Sequence, residues 1–155
     1  QLDRFLFKVL VPYPSADAEL TILRHHHHGM DVHDPLAAGV RKVAAASAIV
    51  AGRAAVAATR VDDVVLGYLV SLARASRETP SVALGVSPRG AAALLHATKA
   101  WAWLSGRDYV TPDDVKAVAK PALRHRIQVR PEVALEGTTS DRVIDGLLAT
   151  VPAPR

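Results

Sequence analysis

The sequence predicts an all-α fold, a helical bundle accompanied by one short strand near the N-terminus. Three observations lead there. Ser87-Pro88 and Thr111-Pro112-Asp113-Asp114 each place a capping hydroxyl before a proline suited to the first helical position. Val61, Val65, Leu69 and Leu72 recur at the spacing that lines one face of a helix. The alternating segment from Phe5 to Val11 has strand character, yet nothing near it in the sequence reads as a sheet for it to join.

Taken in order, Gln1-Leu2-Asp3-Arg4-Phe5 opens the chain without an initiator methionine and runs directly into the strand, which predicts a missing upstream partner. Pro12-Tyr13-Pro14 breaks the backbone, and Ser15 caps a first helix with Leu20, Leu23 and His27 on one face, ending at His28-Gly29. A polar, breaker-containing stretch through Pro35 reads as a loop. The alanine-rich run from Leu36 to Val56 predicts helix in one or two pieces. Asp62 and Asp63 open a clean helix that reaches Glu78 before Pro80. Ser87-Pro88 opens the next, whose stripe is Leu94, Ala97, Trp101 and Leu104 and whose stop is Gly106. Trp101 and Trp103 straddle opposite faces, so one is expected in the core and the other exposed.

Thr111 and Asp114 form a capping box for a helix carrying Val115, Val118, Ala119 and Ala122. Arg126 to Arg130 alternates and reads as a short extended arm, confined to an edge by Pro131. A last helix between Thr138 and Val151 presents Val143, Ile144, Leu147 and Leu148.

Half of the 155 residues are apolar, enough for a real core in one ordinary domain. The absence of cysteine excludes disulfides, thiolate zinc sites and cysteine nucleophiles, and suits a reducing compartment, so a cytoplasmic protein is expected. No apolar run approaches the roughly 20 residues of a membrane span, so no membrane association is expected. The 19 Lys and Arg outnumber the 15 Asp and Glu, but they are interspersed with acids and alanines. A freestanding basic helical module for nucleic acid or protein needs a clustered basic face, which this pattern does not supply.

Chemistry has few places to sit. Arg89 lies in the first turn of the Ser87-Pro88 helix, where the macrodipole is already positive; it is electrostatically misplaced unless an anion docks there. The run His25 to His28, with His33 beyond it, lacks metalloenzyme spacing, and consecutive histidines point in different directions, so no metal site is assigned. Asp113 and Asp114 are accounted for by capping, and His96 and His125 receive no role. The chain contains no Gly-Lys dipeptide and no G-x-G-x-x-G, hence neither a P-loop nor a dinucleotide fingerprint.

Taken together, Leu2-Asp3-Arg4-Phe5, Tyr13-Pro14, Ile22-Leu23-Arg24, Ala58-Thr59-Arg60-Val61-Asp62, Gly85-Val86-Ser87-Pro88-Arg89, the run from Gly106 to Val115, His125-Arg126-Ile127 and Glu136-Gly137 resemble the MoxR family of AAA+ ATPases over nearly the whole chain. Gly90 departs from the alanine such proteins often carry, and the stretch from His25 to Pro35 matches no family motif. The resemblance implies that residues 1–13 are the tail of an α/β ATPase core, including its last strand, and that residues 14–155 are the helical lid. It implies that Arg4 is an arginine finger acting in trans and that Arg89 is the sensor-2 arginine. Tyr13, Ile22, Ser87 and Arg89 would contact nucleotide. The intact protein would use ATP with Mg²⁺, form a hexameric ring of identical subunits, and remodel or mature client proteins such as those with von Willebrand factor A domains. This chain, lacking the P-loop, would hold no cofactor alone.

Overall fold

The computed structural model describes residues 2–31 and 33–154. Gln1, Val32 and Arg155, which the sequence reading placed in the opening motif, the loop and the C-terminal tail, lie outside the described residues. A 3₁₀ turn at Leu2–Arg4 precedes seven α-helices and two short strands among the described residues: α1 Ala16–His27, α2 Ala46–Ala58, α3 Asp63–Glu78, β1 Val82–Leu84, α4 Pro88–Leu104, α5 Pro112–Leu123, β2 Gln128–Val129, α6 Pro131–Leu135 and α7 Ser140–Thr150. The chain divides into two compact units, residues 10–52 and residues 1–9 with 53–155.

The larger unit contains the core. Val65, Tyr68, Leu69 and Leu72 from α3, Leu94 and Ala97 from α4, Val115, Val118, Ala119 and Ala122 from α5, and Val143, Ile144 and Leu147 from α7 are all buried together. Helices α3, α5 and α7 bury the stripes their periodicity predicts, as expected for amphipathic helices that gain stability from packing rather than propensity, whereas α4 buries Leu94 and Ala97 of its stripe and leaves Trp101 and Leu104 exposed. The caps form as read: Asp62 accepts from the Val64 N–H at 3.0 Å and Ser87 Oγ from the Gly90 N–H at 3.0 Å. Gly106 adopts φ 79° just beyond α4, a conformation that a side chain makes costly.

The extended arm pairs antiparallel with β1, Val82 opposite Val129 and Leu84 opposite Gln128, leaving a two-stranded sheet beside the helices. β1 itself and the short α6 were not anticipated: three residues carry too little periodicity to announce a strand, and Pro131 serves as the first residue of a helix rather than only as a strand stop. Two further differences have simple causes. The strand expected over Phe5–Val11 does not form, since a strand needs a neighbour and the sheet among the described residues pairs only β1 with β2; instead the Lys8 N–H bonds the Pro121 carbonyl at 2.9 Å. Trp101 and Trp103 are both substantially exposed, at 46% and 40%, because the last turn of α4 turns the small Ala102 between them into the core, where it is fully buried.

In residues 10–52, α1 begins at Ser15 and ends before Gly29 at φ 73°, as its punctuation predicts. The alanine-rich run is helical only from Ala46; before it, Asp34 Oδ1 accepts from the Leu36 and Ala37 N–H groups and Gly39 takes φ 83°, which commits residues 34–39 to turns. The apolar side chains of α1, including Leu20, Ile22 and Leu23, stay exposed.

Candidate functional site

Two motifs singled out in the sequence meet at one place in the larger unit. Gly85-Val86-Ser87-Pro88-Arg89 forms the turn into α4. Gly85 lets that turn pass against α3: a Cβ there would lie 2.7 Å from the Arg77 backbone nitrogen. Val86 is anchored by its N–H to Ser76 Oγ at 2.9 Å and by its carbonyl to Arg77 Nε at 2.8 Å. Ser87 then caps α4, and its hydroxyl also donates to Asp3 Oδ2 at 3.1 Å. Asp3 belongs to the Leu-Asp-Arg-Phe motif, so the serine ties the chain's first turn to the start of α4.

Arg126 completes the tie. Its side chain is 2% exposed, and Nε–H donates to Asp3 Oδ1 at 3.0 Å. Nη2 donates to the carbonyls of Asp3 at 2.8 Å and Phe5 at 2.5 Å, and Nη1 to those of Leu6 at 3.1 Å and Ala122. Five N–H donors thus meet five acceptors, the complete capacity of a guanidinium. The adjacent His125 donates from Nε2 to the Phe5 carbonyl at 2.9 Å. Residues 3–6 are therefore fixed chiefly by polar contacts, while Leu2, Phe5, Leu6 and Phe7 remain largely exposed.

Arg4 and Arg89 stand apart from this network. Both are exposed, and among the described residues neither pairs with a carboxylate; Arg4 only stacks on Phe5, its guanidinium carbon 5.5 Å from the ring centre. Arg107, Arg124 and Arg126, by contrast, are committed to Asp114, Asp141 and Asp3. Of the other predicted nucleotide contacts, Ser87 sits in the latch just described, whereas Tyr13, 95% exposed, and Ile22 belong to residues 10–52. Among the described residues no group of three or more His, Asp or Glu could hold a metal ion.

The run from Gly106 to Val115 turns out to be architecture. Arg107 grips Asp114 with two N–H···O contacts of 2.6 and 2.5 Å, and Asp114 also accepts from the Thr111 N–H and hydroxyl, both at 2.8 Å. Burial alone would push the Asp114 carboxyl up, but the hydrogen bonds from Arg107 and Thr111, with the Arg107 charge, outweigh it and hold the group below the usual carboxylate range. The same bond raises the Arg107 guanidinium further. This loop in turn fixes the entry to α3, through the Arg60 N–H to the Asp108 carbonyl at 2.8 Å and the Val110 N–H to the Arg60 carbonyl at 3.0 Å.

The residue the sequence reading left without a role is Arg126. The signal was present: His125-Arg126-Ile127 was one of the family-like motifs. Spacing alone could not show that its partner lies more than 120 residues away.

The helical unit and its capped α4 define an AAA lid: residues 74–147 match the AAA lid domain family. This match, with the relatives below, supports a lid fragment of the MoxR family of AAA+ ATPases. The chain is 37% identical over 156 residues to the Bacillus subtilis protein YeaC, covering 99% of this chain and 47% of that one. It is 30% identical to the chaperone MoxR1 of Mycobacterium tuberculosis, over 100% of this chain and 42% of the relative, and 31% identical to protein MoxR of Paracoccus denitrificans, over 98% and 49%. A crystal structure from Cytophaga hutchinsonii, described as that of a candidate ATPase, superposes with a TM-score of 0.83 at 26% identity, covering 99% of this chain and 48% of that one. The chain thus spans about half the length of the relatives it matches. No helix among the described residues is long and apolar enough to cross a membrane.

Proposed function

We propose that this chain closes over the nucleotide of a MoxR-type AAA+ ATPase, with Arg89 reaching the bound ATP of its own subunit as sensor 2 and Arg4 reaching that of the neighbouring subunit as an arginine finger. The observation that carries this reading is the contrast among the arginines: Arg4 and Arg89 are exposed and free of carboxylates among the described residues, although Asp3 lies between Ser87 and Arg126 and binds both. A positive charge left free beside a positive helix end is unfavourable by itself and becomes favourable next to an anion.

ATP would supply the transferring phosphoryl group, and the ATPase core preceding the chain would supply the P-loop and hold Mg²⁺. The contribution of these two arginines is charge: each would stabilise negative charge spread over the phosphoryl oxygens, which is most of what a protein does in phosphoryl transfer. Residues 1–13 read as the tail of the core and 14–155 as the lid. Tyr13 and Ile22 are assigned to the adenine side and Ser87, beside Arg89, to the phosphate side. The assembly would be a cytoplasmic, hexameric ring whose hydrolysis drives remodelling or maturation of a client protein, for which partners with von Willebrand factor A domains are the first candidates.

The test is a mixing experiment with the full-length protein. Arg4→Ala is expected to lower kcat by about 10³-fold, the scale of finger losses. Arg89→Ala is expected to lower kcat and also raise KM, because it removes a contact to bound nucleotide. Mixed with a subunit inactivated in its own P-loop, Arg4→Ala subunits should recover activity, since their intact sites then face an intact Arg4. Arg89→Ala subunits should recover none. Recovery by Arg89→Ala alone would reverse the two roles, and full activity of both single variants would end the lid-arginine reading.

A further inference from the structure

We infer that Arg126 is the positioning residue of Arg4: it clamps the backbone on both sides of the finger while leaving the Arg4 side chain free. This rests on the finger reading above and adds a residue to it. The carbonyls that Arg126 Nη2 holds belong to Asp3 and Phe5, the residues immediately before and after Arg4. Its Nε holds the Asp3 carboxylate, whose second oxygen is held by Ser87 at the start of α4. Arg4 therefore projects from a short segment whose position is referred to the lid's own helix.

The latch is specific to arginine. Lysine has three donors on one atom and cannot span five acceptors arranged around a planar fork. Room for the arginine arm is also built in. A Cβ on Gly90 would lie 2.9 Å from Arg126 Cδ and 2.9 Å from Val86 Cγ1, so a side chain at position 90 would require Arg126 and Val86 to shift.

The two sides of the latch are not equally dependent on it. The start of α4 is held by buried packing at Val86, Gly90 and Leu94 and by the bonds from Ser76 and Arg77. Residues 2–7 have no buried side chain and rely on Arg126, Ser87 and His125. Loss of Arg126 should accordingly free the segment carrying Arg4 and leave the helix carrying Arg89 in place. The defect should then be felt in the neighbour's active site rather than in the subunit's own.

Full-length Arg126→Lys is the test, with Asp3→Ala as a milder second variant that leaves the arginine present and removes the carboxylate it holds. Each is mixed with the P-loop-inactivated subunit, and Arg4→Ala and Arg89→Ala serve as reference points. A finger displaced by about 1 Å should cost up to about 10²-fold in kcat, with KM little changed. Recovery of activity on mixing, as for Arg4→Ala, is the expected result. In hydrogen exchange the amides of residues 5–8 should exchange faster in both variants, while those of residues 91–97 keep their protection.

Arg126→Lys behaving like Arg89→Ala, with raised KM and no recovery, would overturn the inference, as would wild-type kcat in both variants. If Arg126→Lys fails to fold, the same readouts on Asp3→Ala decide. Full activity of Arg4→Ala would show instead that the finger reading is wrong, and the inference would fall with it.

Discussion

Helices α1 and α3 begin with equally well-formed N-caps, yet they part company in what becomes of their apolar side chains. Ser15 accepts from the Ala18 N–H at 3.3 Å and Asp62 from the Val64 N–H at 3.0 Å, each satisfying an orphan donor of the first turn. Within its unit, α3 buries Val65, Tyr68, Leu69 and Leu72, whereas α1 leaves Leu20, Ile22 and Leu23 exposed. A cap is a local contract between a side chain and the next three residues. Burial depends on what else the chain brings alongside. Residues 53–154 contain their own partners for α3, whereas the described residues of 10–52 leave the apolar side chains of α1 exposed.

The comparison breaks most easily by truncation. Leu94 is 1% exposed in the core of the larger unit, and Leu94→Ala should cost about 2–5 kcal/mol through lost transfer energy and the cavity left behind. Leu20→Ala, on an exposed face, should change stability by less than about 0.5 kcal/mol. Urea denaturation of both variants gives the two values directly. Similar losses would mean that α1 is buried against something these contacts do not contain.

A smaller effect sharpens the contrast between buried and exposed polar groups. Asp114→Asn should cost about 1–3 kcal/mol at pH 7, because it removes the charge that Arg107 and Thr111 bind. The folded carboxyl titrates below its unfolded value of about 3.9, so its stabilisation is fully present above that pH and disappears as the pH falls through the folded value. The gap between wild type and variant should therefore be wide at pH 7, begin to narrow below about pH 4 and close as the pH falls through the folded value. A gap that does not change with pH would assign the loss to shape rather than charge.

Much of residues 53–154 was legible because its signals are local: Asp62, Ser87-Pro88 and Thr111 with Asp114 mark helix starts, and the 3.6-residue spacing marks the faces that become buried. What escaped was non-local. The pairing of Val82 with Val129 joins segments nearly fifty residues apart, and the last turn of α4 buries Ala102 rather than either tryptophan. In the candidate site, Arg89 was visible as a charge at the wrong end of a helix, and Arg4 only through family likeness. Arg126 could be seen in the motif, but its partnership with Asp3 is a property of the folded chain.

The central claim is that the start of α4 meets the subunit's own nucleotide and the turn at Leu2–Arg4 meets the neighbour's. Hydrogen exchange of the full-length protein with a non-hydrolysable Mg–ATP analogue, at concentrations above and below ring assembly, addresses both halves. The account predicts that nucleotide protects the backbone amides of residues 89–91 in assembled ring and free subunit alike, and protects those of residues 3–6 only in the ring. Exchange unaltered by nucleotide in both segments, under conditions where the analogue is bound, would contradict it.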